Sequence, residues 1–174
     1  KVVENWYEEM LSDYGQQLAG IKGTWNRLRF MVWRHLQVIH DDPAMCRLIV
    51  NELRSGPDYR DTAVFELNRE YTQLTLAIVE EAMATGELRQ AIPLRVVRDM
   101  IYGGIEHHAW SFLRGEGDFS PDAAADAITD IIYRGLASSD GTVTGSKEPA
   151  LRRLEEVTAR LEQLADRSVE KNRC

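Results

Sequence analysis

Cysteine, proline, positive charge and long apolar runs are all scarce in this chain, and each scarcity excludes something. Two cysteines among 174 residues, Cys46 and Cys174, make neither a disulfide framework nor a metal quartet. Their rarity fits a reducing, cytoplasmic compartment. No run approaches the roughly 18 apolar residues of a membrane helix. The opening residues, KVVENWYEEM, lack the basic and apolar regions of a secretory signal, so no membrane partner is expected. Lysine and arginine number 21 against 28 aspartates and glutamates, a net charge of -7, so no electrostatic footprint for gripping phosphate backbones is present. What is plentiful is ordinary core material. With 44% apolar residues, the chain suits one compact domain and is not disordered.

The five prolines all stand where a helix can begin: Asp42-Pro43, Gly56-Pro57-Asp58, Ile92-Pro93, Ser120-Pro121-Asp122 and Pro149. Proline is tolerated in a first helical turn, where its missing N–H would be unsatisfied anyway. Asp42 and Ser120 suit the N-cap position. Three- and four-residue apolar spacing predicts helices over about Val2–Gln17, Thr24–His40, Pro43–Leu53, Asp58–Thr85, Pro93–Arg114 and Pro121–Leu136. The fourth is expected to stop at Gly86. No period-two alternation competes, so the fold class is all-α.

Residues 138–146 (SSDGTVTGS) read as a flexible linker. The tail, 147–174, reads as a charged amphipathic helix over Lys147–Lys171, with Leu154, Val157, Leu161 and Leu164 on a heptad seam. A short coiled coil and a helix docked on its own domain or frayed in solvent both fit that seam.

The fifth and sixth predicted helices are apolar around most of their circumference, so each is buried on more than one face. Leu94, Val97, Ile101, Ile105, His108 and Phe112 form one stripe of the fifth helix. Val96, Met100, Gly103, His107 and Trp110 form its neighbour. The pair Gly103-Gly104 costs helix stability, about 1 kcal/mol per glycine, which points to close approach of another backbone. A twofold dimer through a four-helix bundle satisfies both faces, with Gly103, Gly104, His108, Ile128, Ile131, Ile132 and Gly135 at the contact. A single domain wrapping both helices is the simpler alternative.

Catalytic constellations are missing. There is no glycine-rich phosphate loop, no GxSxG and no HExxH. His35 and His40 point to different sides of a helix, and His107 and His108 diverge, so neither pair has metal-ligand spacing. Asp41 and Asp42 read as capping groups, and Cys46 as a buried, unreactive thiol. No catalytic residue, metal or cofactor is expected.

The succession Trp33-Arg-His-Leu36, Asp41-Asp-Pro43, Asn51-Glu-Leu-Arg-Ser-Gly56, Gly86-Glu-Leu-Arg89, Arg98-Asp-Met-Ile-Tyr-Gly-Gly-Ile-Glu-His107 and Ile131-Ile-Tyr-Arg-Gly-Leu136 resembles the regulatory domain of TetR-family transcriptional repressors. The resemblance covers residues 1–137, in order. It implies an effector-binding and dimerisation domain, followed here by an additional C-terminal helix. It also implies a helix-turn-helix head before the first helix, through which alone operator DNA would be bound; no segment here has that character. The effector cavity is then expected among Trp33, Leu36, Met45, Leu48, Ile49, Phe65, Tyr71, Leu74, Ile78, Met100, Ile101, His107 and Trp110, large residues that equally fill a core. The run Asn51-Glu-Leu-Arg-Ser with the long fourth helix resembles the fatty-acid-metabolism branch, which senses acyl-coenzyme A. Arg54, Arg60 and Arg69 are then the candidate phosphate partners. An aromatic or lipophilic drug-like effector is the alternative ligand. A protein-interaction module working through the C-terminal helix, with no small effector, is the alternative function.

Overall fold

The computed structural model describes residues 1–138. Six α-helices account for most of them: α1 (Val2–Leu18), α2 (Thr24–Asp41), α3 (Pro43–Arg47), α4 (Ala63–Ala84), α5 (Leu94–Leu113) and α6 (Pro121–Leu136). No strand occurs among the described residues, and one isolated bridge joins Leu88 to Ala137. The chain is all-α. Lys1–Ala137 forms one compact unit. The tail helix and nearly all of the expected linker lie outside the described residues.

Capping chemistry sets the boundaries. Asp42 Oδ1 accepts from the Met45 amide and Ser120 Oγ from the Ala123 amide, with Pro43 and Pro121 directly after the caps. The expected fourth helix is corrected at its start. It does not run from Asp58, because Thr62 is extended and its Oγ1 accepts from the Phe65 amide, starting α4 at Ala63. Pro57-Asp58 therefore leads into a single 3-10 turn, Tyr59–Asp61. Likewise Pro93 is the N-cap of α5 rather than its first residue. Gly86 ends α4 in the left-handed region, at φ 80°, as its position predicts.

The third predicted helix is also corrected. Its α-geometry stops at Arg47, and Leu48–Leu53 continues as a π-helix. Its wider turn is visible where the Arg54 amide donates five residues back to the Ile49 carbonyl, at 2.9 Å.

Helix α2 is the hub. It packs along α6 and against α4 and α5, while α1 lies on α4. Leu28, Met31, Val32, Leu36 and Ile39 of α2 are buried, as are Val3, Tyr7, Met10 and Tyr14 of α1. Each such side chain stabilises the fold by about 1.5–3 kcal/mol relative to exposure. Polar contacts fix the α2–α6 register. Arg29 reaches Asp126 at 2.5 Å and Asp122 at 3.1 Å, and Trp25 Nε1 donates to Asp130 Oδ1 at 3.1 Å. The end of α6 is held by the Arg89 amide donating to the Leu136 carbonyl at 2.8 Å. These anchors leave α5 with one side on the core and another facing a cavity.

Candidate functional site

That cavity, of about 740 Å³, lies within the range of small-molecule sites. Helix α5 forms its long wall through Arg98, Asp99, Tyr102, Gly103, Glu106, His107, Trp110 and Leu113. At 1.5 Å per residue, Arg98 to Leu113 spans about 22 Å. Opposite stand Trp6 and Tyr7 of α1, His35, Val38 and Ile39 of α2, Cys46 of α3, Ile49 and Val50 of the π-helix, Arg54, Tyr59, and Phe65, Asn68, Arg69 and Thr72 of α4.

The two ends differ in character. At the Arg98 end of α5, Arg98 is half-buried and paired with Asp99 at 2.8 Å, and on α4 the exposed Arg69 is paired with Glu66 at 2.8 Å. Along the wall, Arg54 Nη1 donates to Glu106 Oε1. At the other end, Ile39, Cys46, Ile49 and Leu113 are buried. The Cys46 thiol is pushed up to about 12 by burial and then by the nearby Asp42 carboxylate, so it stays protonated and unreactive. Between the ends, Tyr7 Oη donates to Asn68 Oδ1 at 3.2 Å and His35 Nδ1 meets Tyr71 Oη at 2.7 Å. Burial holds the His35 imidazole down at about 4, with the Arg54 charge adding to the effect, so it is neutral near pH 7. The lining therefore runs from the Arg98–Asp99 pair, past hydrogen-bonding groups and the Arg54–Glu106 pair, to buried apolar side chains around Leu113. That mixture suits an amphiphile.

Of the residues expected in the cavity, Ile49, Phe65, His107 and Trp110 line it, as do Arg54 and Arg69. Leu36, Ile78 and Ile101 are instead fully buried in the core, and Tyr71 lies behind His35. Trp33 packs on Phe30, while Met45 and Leu74 are half-buried against the core. Leu48 and Met100 are 42% and 60% exposed and lie off the wall. Arg60 sits in the exposed 3-10 turn. Sequence reasoning missed Tyr7, His35, Arg98, Tyr102 and Glu106. Arg98 and Glu106 carried a signal, as charged residues at helical spacing beside an otherwise apolar stripe.

The second apolar face of α5 and α6 is open. Val96, Met100 and Ile131 are 47%, 60% and 71% exposed. A Cβ added at Gly103, Gly104 or Gly135 would meet nothing within 4 Å. Among the described residues, no contact accounts for these glycines. Ile128 and Ile132 are half-buried at the edge of this face, and His108 lies edge-on to Phe119 at 5.4 Å.

Among the described residues, no group of three or more histidine, cysteine or acidic side chains is placed to hold a metal, and no helix is long and apolar enough to cross a membrane.

The fold is shared with solved regulators. The transcriptional regulator FadR from Bacillus subtilis, solved in complex with stearoyl-CoA, matches with a TM-score of 0.68 at 16% identity, over 77% of this chain and 72% of that one. The fatty acid degradation regulator FadR from Bacillus halodurans matches at 0.67 and 17% identity, with the same coverage. In sequence, the fatty acid metabolism regulator protein of Bacillus subtilis (strain 168) is 18% identical over 110 residues, 63% of this chain. The match spans 57% of that relative's length. Residues 22–136 match the model of the tetracyclin repressor-like C-terminal domain, and with two thirds of its length inside that match the chain belongs to this family.

Proposed function

We propose that Lys1–Ala137 is the effector-binding and dimerisation domain of a transcriptional regulator, and that its effector is a long-chain acyl-CoA. One observation carries the ligand class: the cavity along α5 joins a set of arginines to a buried apolar end. A hydrocarbon tail fits the apolar end, gaining roughly 0.8 kcal/mol per buried methylene. The phosphates of the head group fit the arginines of the lining, Arg69, Arg98 and Arg54, where guanidinium forks give charge-assisted bonds. The solved neighbour that holds stearoyl-CoA supports the same choice.

In this reading α5 carries the message. One of its faces lines the cavity and the adjoining one, with Met100, Gly104 and Ile131 of α6, meets a second copy of the chain. A ligand that favours one position of α5 then favours one spacing of two DNA-reading heads N-terminal to α1. It regulates only to the extent that it binds the two arrangements unequally.

Thermal unfolding against acyl-CoA esters of increasing chain length, with coenzyme A and free fatty acids as controls, tests this. Ligand at 100 times its dissociation constant stabilises the fold by about 2.7 kcal/mol. A chain-length optimum that needs both parts of the molecule is expected. A flat response across the series would remove acyl-CoA as effector.

A further inference from the structure

The middle of the cavity wall holds an imidazole, that of His35. His35 of α2 stacks on Tyr71 at 5.5 Å and meets the edge of Tyr102 at 5.2 Å, so α4 and α5 hold its ring from two sides. The ring is enclosed by the protein, and the accessibility it retains is toward the cavity it lines.

Its protonation pattern follows from its partner. Tyr71 Oη has His35 Nδ1, at 2.7 Å, as its only hydrogen-bond partner among the described residues. A buried phenol must donate, so the hydroxyl proton goes to Nδ1 and the imidazole proton to Nε2. That Nε2–H has no protein acceptor among the described residues. Burial keeps the ring neutral, with a pKa of about 4, so near pH 7 it offers a single fixed donor. Asn68 adds a second. Its Oδ1 accepts from Tyr7, which leaves its amide protons for the cavity. The nearby carboxylates do not compensate, because Glu106 is engaged by Arg54 and Asp99 by Arg98. An acceptor arriving within the ligand takes up a donor that the described residues leave unpaired toward the cavity.

Position identifies the acceptor. Tyr102, which His35 touches, lies on α5 one turn beyond the charged Arg98 and about three turns before the buried Leu113. In an acyl-CoA that lies along this wall, the group between head and tail is the thioester carbonyl. Resting on the acyl-CoA reading above, we propose that His35 is the specificity-determining residue for that carbonyl. Its Nε2–H donates to the thioester oxygen, and the domain thereby distinguishes acyl thioesters from equally long alkyl chains on the same head group.

The test pairs palmitoyl-CoA with its S-hexadecyl thioether analogue, which keeps chain and head group but lacks the carbonyl, in titration calorimetry on the full chain. The unaltered protein is expected to bind the thioester about tenfold more tightly, the order of one hydrogen bond. His35→Phe keeps a flat ring between the tyrosines and should erase the preference of thioester over thioether. His35→Gln, which can present an N–H near the Nε2 position, should restore part of it. Equal affinity of the unaltered protein for both ligands would overturn the carbonyl assignment and leave the acyl-CoA function standing. Binding of neither would instead remove that function. Should His35→Phe fail to fold, the comparison on the unaltered protein and on His35→Gln still decides.

Discussion

Arg54, just past the π-helix, donates through Nη1 to Glu106 Oε1 on α5, inside the candidate cavity. Without a ligand the guanidinium already has an anion, supplied by the protein. A phosphate or carboxylate arriving at Arg54 must displace Glu106, so this pair sets the threshold for anionic ligands.

Glu106→Gln should therefore tighten acyl-CoA binding several-fold, because the competitor loses its charge. Arg54→Gln should weaken it by about tenfold, the lower range for a charge-assisted bond at a half-exposed site. Calorimetry on both variants checks this. A fall in affinity for Glu106→Gln would mean that the carboxylate organises the site rather than competing for it.

Acid should destabilise the domain through His35. Its folded-state pKa of about 4 lies below the ordinary value of 6.5, so as pH falls the unfolded chain takes up this proton first. The stability is fully present above about pH 6.5 and is lost as pH falls through about 4, to a total on the order of 3 kcal/mol. Melting curves at pH 7 and pH 4.5 should show a larger drop for the unaltered protein than for His35→Phe. Equal drops would place the acid sensitivity elsewhere.

Base should act through the buried phenols. Burial, opposed by Arg34, raises Tyr14 from 10.0 to about 12, so the folded chain holds this proton where the unfolded chain releases it. The contribution is intact below about pH 10 and is lost as pH rises through about 12. Urea midpoints at pH 9 and pH 11 should therefore fall less in Tyr14→Phe than in the unaltered protein, after each is normalised to its midpoint at pH 8.

Gly104 separates intrachain from interchain packing. A Cβ there meets nothing within 4 Å, so in an isolated subunit Gly104→Ala should strengthen α5 by about 1 kcal/mol. At a close dimer contact it should weaken association instead, and Gly104→Leu should abolish it. Ile131→Arg, at a 71% exposed position on α6, should do the same without touching the cavity. Sedimentation of the three variants is the measurement, and an unchanged mass for all three would move the interface off these helices.

Most of the helical frame was legible because short-range chemistry fixes it. Asp42 and Ser120 announce their helices by residue type, and the α1 stripe Val3, Tyr7, Met10 and Tyr14 is buried as its spacing predicts. Thr62 was passed over because Pro57-Asp58 offers an equally good local start, and only the Thr62–Phe65 bond decides between them. The cavity was legible in part. Its wall uses the same large residues as the core, so Ile49 on the wall and Ile78 in the core look alike in sequence. Met100 and His107 illustrate the same difficulty on one helix: both belong to the second α5 stripe, yet only His107 borders the cavity. The role of His35 is not legible locally, since nothing in the surrounding sequence shows that Tyr71, 36 residues on, supplies its partner.

The π-helix at Leu48–Leu53 has a consequence for reading one family member from another. It carries one residue more per turn than the α-helix, and one residue corresponds to about 100° of rotation. Relatives that lack the widening will show a single-residue gap in alignment, and wherever the gap is drawn, the column holding Arg54 acquires a different heading on one side of it. An arginine matched to Arg54 across such a gap can therefore face solvent in the relative. The phase of this one turn, rather than identity in the column, decides which members inherit a basic group in the cavity.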